Sequence, residues 1–334
     1  MGTLVVSRSE VRRLLPMERC IELMAEALTA LGRGEAENPL RWPMRLADGR
    51  GVLGLMPGSM ARPPALGLKI VSVFPHNHGT PYDSHQGVVV LFDPDHGFPT
   101  AILDASEITA IRTAAVSGLA TRLLARDDAS ELAILGSGVQ ARTHLEAMRA
   151  VRDVRRVRVW SPTEANRQRF AEAESRRHAI PVEAVDSPRE AALGADLICT
   201  VTAAREPVLR GEWIAPGAHV NAAGASVATA RELDTRAVAE ALLYVDRRES
   251  AENEAGDFLI PKREGAIGDD HIRGEIGEIL LGQVRGRTAP EEVTLFKSLG
   301  LAVEDLRAAH FVVRRARDEG LGTEIEIGEL PDAG

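Results

Sequence analysis

Three cationic residues in mainly apolar surroundings are the first candidates for chemistry: Arg45, Lys69 and Arg112. A lysine drawn into apolar surroundings gives up its proton more readily, which suits acid–base work near neutral pH. Two guanidinium groups can hold one carboxylate through paired hydrogen bonds. The same pattern also fits a simpler interpretation, in which Lys69 points to water from an alternating strand and both arginines form surface ion pairs.

A glycine turn that could hold phosphates directly follows the apolar run 132–135, which predicts a strand buried on both faces. Gly136 and Gly138 allow a tight turn and close approach to a pyrophosphate, and Ala141 takes the third small position of G-x-G-x-x-G/A. The N–H groups of the following helix would hold the phosphates. The motif alone also fits an ordinary strand–turn–helix. We expect these residues to bind a dinucleotide: Gly136, Ser137, Gly138, Val139 and Gln140.

The end of the next predicted strand bears on which dinucleotide is bound. No Asp or Glu stands where an acidic residue would bind the ribose 2′-OH of NAD. The strand ends at Trp160, followed by Ser161 and Thr163, with Asn166 and Arg167 behind them. These groups would tolerate a 2′-phosphate, so the sequence favours NADP(H), while NAD(H) stays possible. Alternatively, Arg167 merely lies on an exposed helix face.

Two further stretches, 199–202 and 221–226, each end a predicted strand at its carboxyl side. In an open parallel sheet that edge is where ligands bind. The small residues there leave room for ribose and nicotinamide, and the Ser226 hydroxyl is placed to touch substrate. The two threonines could instead reflect strand propensity alone. The cofactor-binding candidates are Thr200, Val201, Thr202 and Gly224.

A histidine-containing segment precedes a predicted strand of the first half. Ser84 is a substrate-binding candidate, and His85 a candidate to work with Lys69 through a water molecule. His76 and His78 lie in the preceding loop, but no helix-spaced Asp, Glu or His accompanies them, so we expect no metal. No G-x-S-x-G or Walker-type motif occurs, which disfavours nucleophilic and phosphoryl-transfer enzymes.

Length and composition describe an ordinary globular protein. The 334 residues suggest about two domains, and the net charge of -9 argues against a nucleic-acid partner. The two cysteines imply no disulfide framework and favour a reducing, cytoplasmic location. No apolar run of 18 residues and no basic-then-apolar leader occurs, so we expect neither a membrane nor a secreted protein.

The apolar patterns predict the elements that must position these residues. Residues 8–32 predict two helical pieces broken at Pro16, residues 39–103 an antiparallel sheet, and residues 104–124 a helix bridging two domains. From 126 to 296, strands alternate with helices, as in a doubly wound parallel sheet. A helix at 301–318 and an edge strand at 323–327 should pack back on the first domain.

The predicted fold class is therefore α/β. A Rossmann-type doubly wound parallel sheet at 126–296 accompanies an α+β substrate-binding and dimerisation domain with an antiparallel sheet. That domain comprises 1–125 and is completed by 297–334.

Short motifs spread over nearly the whole chain point together to one family. They are Leu55-Met-Pro, Gly67-Leu-Lys, Ser84-His-Gln, Glu107-Ile-Thr-Ala-Ile-Arg-Thr-Ala-Ala, Gly136-Ser-Gly-Val-Gln, Asn221-Ala-Ala-Gly-Ala-Ser, Arg231-Glu-Leu-Asp and Phe296-Lys-Ser-Leu-Gly. Through them the chain resembles the ornithine cyclodeaminase and mu-crystallin family. The resemblance implies a homodimer whose first domains join their sheets into a barrel. It also implies that Arg45, Lys69 and Arg112 hold a substrate carboxylate against the nicotinamide, and it adds Lys297 to the cofactor-binding candidates.

Two departures from the family pattern indicate a branch. Cyclodeaminases of the family carry a Glu before Leu-Met-Pro and an Asp after the Gly-Gly or Gly-Ala pair, where this chain has Gly54 and Ser226. Gly54 has no side chain to act as a base. Gly-Ala-Ser and Trp160 are instead similar to the mu-crystallin branch, whose enzymes reduce ketimines. Alanine dehydrogenase-like members usually carry Asp at the position of Ser226.

The sequence-based hypothesis is an NAD(P)H-dependent reductase of imines that bear an α-carboxylate, either cyclic imino acids or imines of 2-oxo acids. In it, Arg45 and Arg112 fix the carboxylate, Lys69 and His85 keep or deliver the imine proton, and Ser226 orients the nitrogen. The alternatives are a cyclodeaminase-type lyase, an alanine dehydrogenase-like enzyme and a non-catalytic, crystallin-like binding protein.

Overall fold

The computed structural model describes residues 2–77 and 80–327, so His78 lies outside the described residues. The chain forms two compact units: unit 1 is the described part of Met1–Arg112 and Leu301–Gly334, and unit 2 is Thr113–Gly300. The first boundary therefore falls inside the long helix rather than after residue 125. The reason is that Ser117 and Thr121 of that helix bond to His144 and Asn221 of unit 2.

Unit 1 is built from a sheet and helices whose apolar faces cover it. Pro16 separates the first two helices, as its missing N–H and fixed φ predict, and it becomes the N-cap of the second. The helices are α1 (Arg8–Leu14), α2 (Met17–Gly32), the first part of α3 (Ala105–Leu124) and α11 (Ala302–Glu319). The strands are β1 (Thr3–Val6), β2 (Ala36–Glu37), β3 (Trp42–Arg45), β4 (Val52–Ala61), β5 (Pro64–Val73), β6 (His85–Phe92), β7 (Pro99–Asp104) and β16 (Thr323–Ile325).

The sheet of unit 1 has the described order β16-β1-β7-β6-β5-β4-β2, and β3 pairs with β4. The strands from β3 to β7 are antiparallel, as the alternating patterns and turns predict. The sheet is not antiparallel throughout, because β1 joins β7 in parallel. Neither β1 nor β2 was predicted, since runs of four and two residues carry too little periodicity.

Unit 2 is a parallel sheet with the described order β10-β9-β8-β11-β12-β15-β13-β14. The order reverses between β8 and β11, which is where ligands bind in doubly wound sheets. The strands are β8 (Glu131–Leu135), β9 (Arg156–Trp160), β10 (Val182–Ala184), β11 (Leu197–Thr200), β12 (His219–Ala222), β13 (Leu242–Val245), β14 (Ile272–Glu275) and β15 (Thr294–Lys297). The helices are α4 (Val139–Val151), α5 (Glu164–His178), α6 (Pro188–Ala192), α7 (Thr235–Ala239), α8 (Arg248–Glu254), α9 (Gly256–Arg263) and α10 (Ile276–Leu280).

The last third of unit 2 departs most from the sequence expectation. Strands β14 and β15 were missed, although β15 inserts between β12 and β13 and is buried along its whole length. Its four residues end in Lys297, which no apolar pattern would place in a core. Within the described residues, no helix is long and apolar enough to cross a membrane.

Candidate active site

The centre of the site in unit 1 is a buried cluster of charges around Lys69, which is only 3% exposed. Its ammonium Nζ lies 2.7 Å from Asp305 Oδ2 and donates to Thr109 Oγ1 at 3.4 Å. Arg112, equally buried, donates from Nε to Asp305 Oδ1 at 2.8 Å and from Nη1 to Glu304 Oε2 at 2.9 Å. Asp305 thus joins two residues proposed from the sequence, and Glu304 adds a second carboxylate to Arg112; sequence reasoning missed both carboxylates.

Burial of Lys69 has a chemical consequence. Burial lowers the pKa of Lys69 from its ordinary 10.5 to about 8, and Arg112 adds to the lowering, while Asp305 opposes it. The pKa of Asp305 is itself lowered, because Arg112 and Lys69 outweigh the opposite effect of its burial. A lysine with this pKa can exchange its proton near neutral pH, and Asp305 beside it is an anion.

Arg45 and His85 lie on the same face of the sheet as Lys69. Paired residues of neighbouring strands share a face, as do alternate residues along one strand. Successive cross-strand pairs form a row: Arg45 pairs with Val52, Val52 with Val73, and Val73 with His85. Lys69 is four residues from Val73 on β5, roughly 13 Å along the strand. The structure therefore puts these groups on one face without direct contact.

Exposure separates the residues of that row from the buried cluster. Arg45 and His85 are exposed, and Ser84 is half-buried. The Ser84 hydroxyl lies 3.0 Å from His85 Nδ1. These three residues are more accessible than Lys69 on β5 and Arg112 on α3, each of which is 3% exposed.

Gly54 lies on the same face, between the row of Lys69 and the row of His85. It pairs with Val71, the residue between Lys69 and Val73 in the alternation of β5. A Cβ at Gly54 would meet Val71 Cγ1 at 3.4 Å, an ordinary contact. The position could therefore accept a side chain, and the chain supplies no carboxylate there.

In unit 2 the glycine turn has the geometry that a pyrophosphate needs. Gly136 has a φ of +125°, and a Cβ on it would lie 2.7 Å from the Val201 carbonyl oxygen, so only glycine fits. Gly138 is the N-cap of α4, and a Cβ there would meet no atom within 4 Å. Val139 is exposed and Gln140 half-buried in the first turn. Open space in front of helix N–H groups fits a phosphate.

The Ser161 hydroxyl, just after β9, forms hydrogen bonds with both Ser137 and Thr163. Ser137 Oγ donates to Ser161 Oγ at 2.9 Å, and Ser161 Oγ donates to the Thr163 carbonyl at 3.4 Å. Ser161 is buried, Thr163 is exposed as the N-cap of α5, and Trp160 packs against the core of unit 2. This arrangement joins the glycine turn to the end of β9.

Arg167 is placed differently from both sequence interpretations. It is not on an exposed helix face, because only 8% of it is exposed. Its Nη2 forms an ion pair with Asp186 at 2.8 Å, and its Nη1 donates to the Ser161 carbonyl at 3.4 Å. A 2′-phosphate near Ser161 would meet the Asp186 carboxylate as well as the guanidinium.

The loops after β11 and β12 are tied together by Glu232, a buried residue that sequence reasoning missed. Its carboxylate accepts from Thr200 Oγ1 at 2.9 Å and from Thr202 N, Thr202 Oγ1 and Gly224 N, each at 2.7 Å. Burial raises the pKa of Glu232, and Lys297 opposes this. Thr200 is fully buried and its hydroxyl is engaged by Glu232, while the residue stays a cofactor-binding candidate.

Lys297, a cofactor-binding candidate from the sequence, is buried within unit 2. Its side chain is 1% exposed, and Nζ lies 3.0 Å from Asp257 Oδ2 while donating to the carbonyls of Ala222 and Ala225. Asp257 Oδ1 accepts from the Glu232 backbone N–H at 2.8 Å. Lys297 therefore holds the loop that leads to Ser226, which is half-buried. The sequence signals for this network were three motifs of the family resemblance: Asn221-Ala-Ala-Gly-Ala-Ser, Arg231-Glu-Leu-Asp and Phe296-Lys-Ser-Leu-Gly.

Metal ligands do not cluster in the part of the chain that the structure describes. No group of three or more His, Cys, Asp or Glu side chains there could hold an ion. His76 is described, but His78 is not, so the histidine loop is only partly covered.

Comparisons with known proteins agree with this architecture. The model of the ornithine cyclodeaminase/mu-crystallin family matches residues 1–320. The chain belongs to this family. The pyrroline-2-carboxylate reductase of Bacillus cereus is 38% identical over 97% of this chain and 100% of its own length. The ketimine reductase mu-crystallin of Mus musculus is 44% identical over 84% of this chain and 85% of its own.

A solved structure is similar over the same extent. The pyrroline-2-carboxylate reductase of Thermococcus litoralis, in complex with NADH and L-proline, superposes with a TM-score of 0.95 at 39% identity. The match covers 97% of this chain and 100% of that one. The family resemblance and the predicted fold class are confirmed.

Proposed function

We propose that the protein is an NAD(P)H-dependent reductase of imines that carry an α-carboxylate, giving amino acids. The observation that carries the proposal is the buried cluster in which Asp305 joins Lys69 to Arg112, with Lys69 on a sheet face where Gly54 leaves no carboxylate. The names of the reductases similar to this chain support the same reaction class.

The residues of unit 1 would bind and polarise the substrate. Arg112, with Arg45, would hold the carboxylate through charge-assisted hydrogen bonds. Lys69, with a pKa of about 8, is charged at neutral pH and would keep or deliver the proton on the imine nitrogen. His85 would exchange that proton through water, and Ser226 would orient the nitrogen. A protonated imine has an electron-poor carbon that accepts a hydride readily.

The residues of unit 2 would hold the cofactor. The glycine turn at Gly136 and Gly138 would bind its pyrophosphate, and the loops joined by Glu232 would accommodate the ribose and nicotinamide. When bound, the reduced nicotinamide supplies the hydride. The imine carbon gains that hydride, the C=N π pair becomes the nitrogen lone pair, and the amine keeps the proton.

The choice between the two dinucleotides depends on the end of β9. The absence of an acidic residue after Trp160 favours NADP(H), whereas the Asp186 carboxylate beside Arg167 would repel a 2′-phosphate. We therefore propose that both cofactors are used, and that repulsion by Asp186 weakens the binding of NADPH.

Strand β3 supports the proposal of a homodimer. Trp42 is 64% exposed and Met44 46% exposed on this edge strand, which is unusual for large apolar side chains. A second copy of the chain would cover them, and light scattering on the purified protein would give twice the chain mass. The two buried, free cysteines fit the proposed reducing, cytoplasmic location.

The decisive experiment is an assay of NADH and NADPH oxidation against a panel of substrates. The panel would contain pyrroline-2-carboxylate, piperideine-2-carboxylate, pyruvate with methylamine, pyruvate with ammonia, and ornithine. We expect net cofactor oxidation with the imino acids, and no ammonia release from ornithine. Ammonia release without net cofactor turnover would establish the lyase alternative, and turnover only with free ammonia the dehydrogenase alternative.

Lys69→Ala provides the internal test of the same assay. We expect imine reduction to be abolished while NADH binding, measured by fluorescence titration, stays nearly unchanged. Lys262→Ala, on the surface beside Asp269, is the matched control and should behave as wild type. Normal imine reduction by Lys69→Ala would refute the assignment of Lys69.

A further inference from the structure

The charges around Lys69 come from three elements of unit 1, and one residue joins them. Asp305, in the first turn of α11, places one carboxylate oxygen on each cation: Oδ2 lies 2.7 Å from Lys69 Nζ, and Oδ1 accepts from Arg112 Nε at 2.8 Å. The carboxylate therefore determines the separation between an ammonium on β5 and a guanidinium on α3.

The cluster is balanced in charge and shielded from water. Lys69, Arg112, Glu304 and Asp305 contribute two positive and two negative groups, and each side chain is at most 4% exposed. An uncompensated ion in such a place is strongly unfavourable, so each cation depends on its carboxylate.

The other groups that face Lys69 do not compensate its charge. Arg41, before β3, adds a further positive charge, and Thr109 on α3 offers only a hydroxyl. Cys20 on α2 lies near the same ions, but burial raises the pKa of its thiol, which is therefore neutral. Glu304 directs its contact to Arg112 instead. Asp305 is the carboxylate that contacts the Lys69 ammonium.

We propose that Asp305 is a positioning residue of the reductase, which keeps Lys69 protonated at neutral pH and holds it beside Arg112 at the spacing a substrate carboxylate needs. The inference rests on the proposed function, because it assigns Lys69 a proton that the imine requires. Asp305 acts through Lys69 and Arg112, and its own carboxylate is buried beneath them.

Removal of the Asp305 charge has a predictable direction. Burial and Arg112 already lower the pKa of Lys69 to about 8, and Asp305 is the group that opposes them. Without it, the pKa falls further, and Lys69 loses its proton at a lower pH. Because the reaction needs protonated Lys69, the alkaline limb of the pH profile moves towards neutral pH.

Glu304 offers a matched control one residue away. Its Oε2 accepts from Arg112 Nη1 at 2.9 Å and from the Leu301 backbone N–H at 3.2 Å. Glu304→Gln removes the same charge from the same helical turn without removing a contact of Lys69. A merely structural role of α11 would be disturbed equally by both substitutions.

The experiment measures kcat/KM for a cyclic imino acid against pH in wild type, Asp305→Asn, Glu304→Gln and Asp305→Glu. Because all variants are measured with the same substrate, the titration of the imino acid itself affects every profile equally. We expect the alkaline limb of Asp305→Asn to move to lower pH by about one unit or more, and that of Glu304→Gln by less than half as much. Asp305→Glu keeps the charge but lengthens the side chain, so the limb should stay while KM for the imino acid rises and the NADH Kd stays constant.

An unmoved limb in Asp305→Asn, or an equal movement in Glu304→Gln, would overturn the inference. If Asp305→Asn does not fold, Asp305→Glu decides: a retained limb with raised KM supports the inference, and a shifted limb or an unchanged KM overturns it. If the wild type reduces imino acids but its alkaline limb does not depend on Asp305, this inference alone is refuted. A wild-type chain that reduces none overturns the proposed function and the inference with it.

Discussion

Individual residues decide how the ends of the cofactor and the substrate are recognised. Arg167 illustrates why residue type alone is a weak guide, because its guanidinium is committed to Asp186 and to the Ser161 carbonyl. An arginine near a ribose favours a phosphate only when its charge is not already compensated. We therefore propose that the discriminating residue is Asp186, the acid that pairs with Arg167.

Substitution of Asp186 should change the cofactor preference. In Asp186→Asn, the carboxylate that repels a 2′-phosphate is lost, and the positive charge of Arg167 is no longer compensated by an ion pair. We expect the ratio of kcat/KM for NADPH over NADH to rise roughly fivefold, about the size of one surface charge contact. Asp153→Asn removes an equally exposed charge just before the start of β9 and should leave the ratio unchanged. A ratio in Asp186→Asn equal to that of wild type would show that Asp186 does not select the cofactor.

At the scale of elements, the carboxyl ends of the parallel strands are positioned by a polar network below them. Glu232 accepts hydrogen bonds from both the β11 loop and the β12 loop, and Lys297 of β15 holds the second loop with Asp257. Buried networks of this kind are stabilising only when every member is satisfied. The shape of the proposed nicotinamide site therefore depends on residues that do not touch a ligand.

Glu232→Gln should weaken cofactor binding. In the glutamine, an NH2 group replaces one of the two carboxylate oxygens, each of which now accepts from two donors. A backbone N–H of Thr202 or Gly224 therefore loses its acceptor, and the loss costs about 1–3 kcal/mol. We expect the NADH Kd, measured by fluorescence titration, to rise about tenfold, equivalent to about 1.4 kcal/mol. Glu240→Gln breaks an exposed pair with Arg236 and serves as the control. Equal NADH affinity in both variants would contradict a positioning role for Glu232.

At the scale of the whole molecule, two buried histidines connect stability to pH. Burial lowers the pKa of His144 to about 4 and that of His219 to about 3. Each is neutral in the folded state, and His144 has partners on both nitrogens, the Gln140 carbonyl and the Ser117 hydroxyl. In the unfolded chain, both titrate near 6.5. The unfolded state therefore binds more protons below pH 6.5, and stability is lost as the pH falls from there towards 3 to 4.

Acid destabilisation should thus be reduced in His219→Gln. Between pH 6.5 and 5, each buried neutral histidine accounts for about 1.6 kcal/mol of lost unfolding free energy, because the unfolded histidine is already half protonated at pH 6.5. We expect the difference in unfolding free energy between these pH values, from urea unfolding followed by tryptophan fluorescence, to shrink by that amount in the variant. His96→Gln changes an exposed histidine and should preserve the wild-type difference. An undiminished pH dependence in His219→Gln would mean that His219 is not the source.

What could be predicted from the sequence lies in short, continuous stretches. The break at Pro16, the strand before Gly136 and the alternation of β4 to β7 follow from neighbouring residues, because periodicity and turn chemistry are local. The same holds for Lys69 and Arg112 as candidates, since an apolar neighbourhood is visible in the residues around them. The resemblance to the family added their common role.

Tertiary structure alone decided which charges meet. Asp305 lies 193 residues from Arg112 in the chain, and Glu232 lies 32 residues from Thr200. The periodicity of helices and strands relates only neighbouring residues, so it cannot predict contacts over such separations. Their contacts depend on strand register and on how α11 packs, which are set by the whole fold. The sequence by itself determined the kinds of groups at the site. Only folding determined the partners that give Lys69 its charge and hold the loops beside Gly224, because the energy of a buried ion depends on the groups that surround it in space.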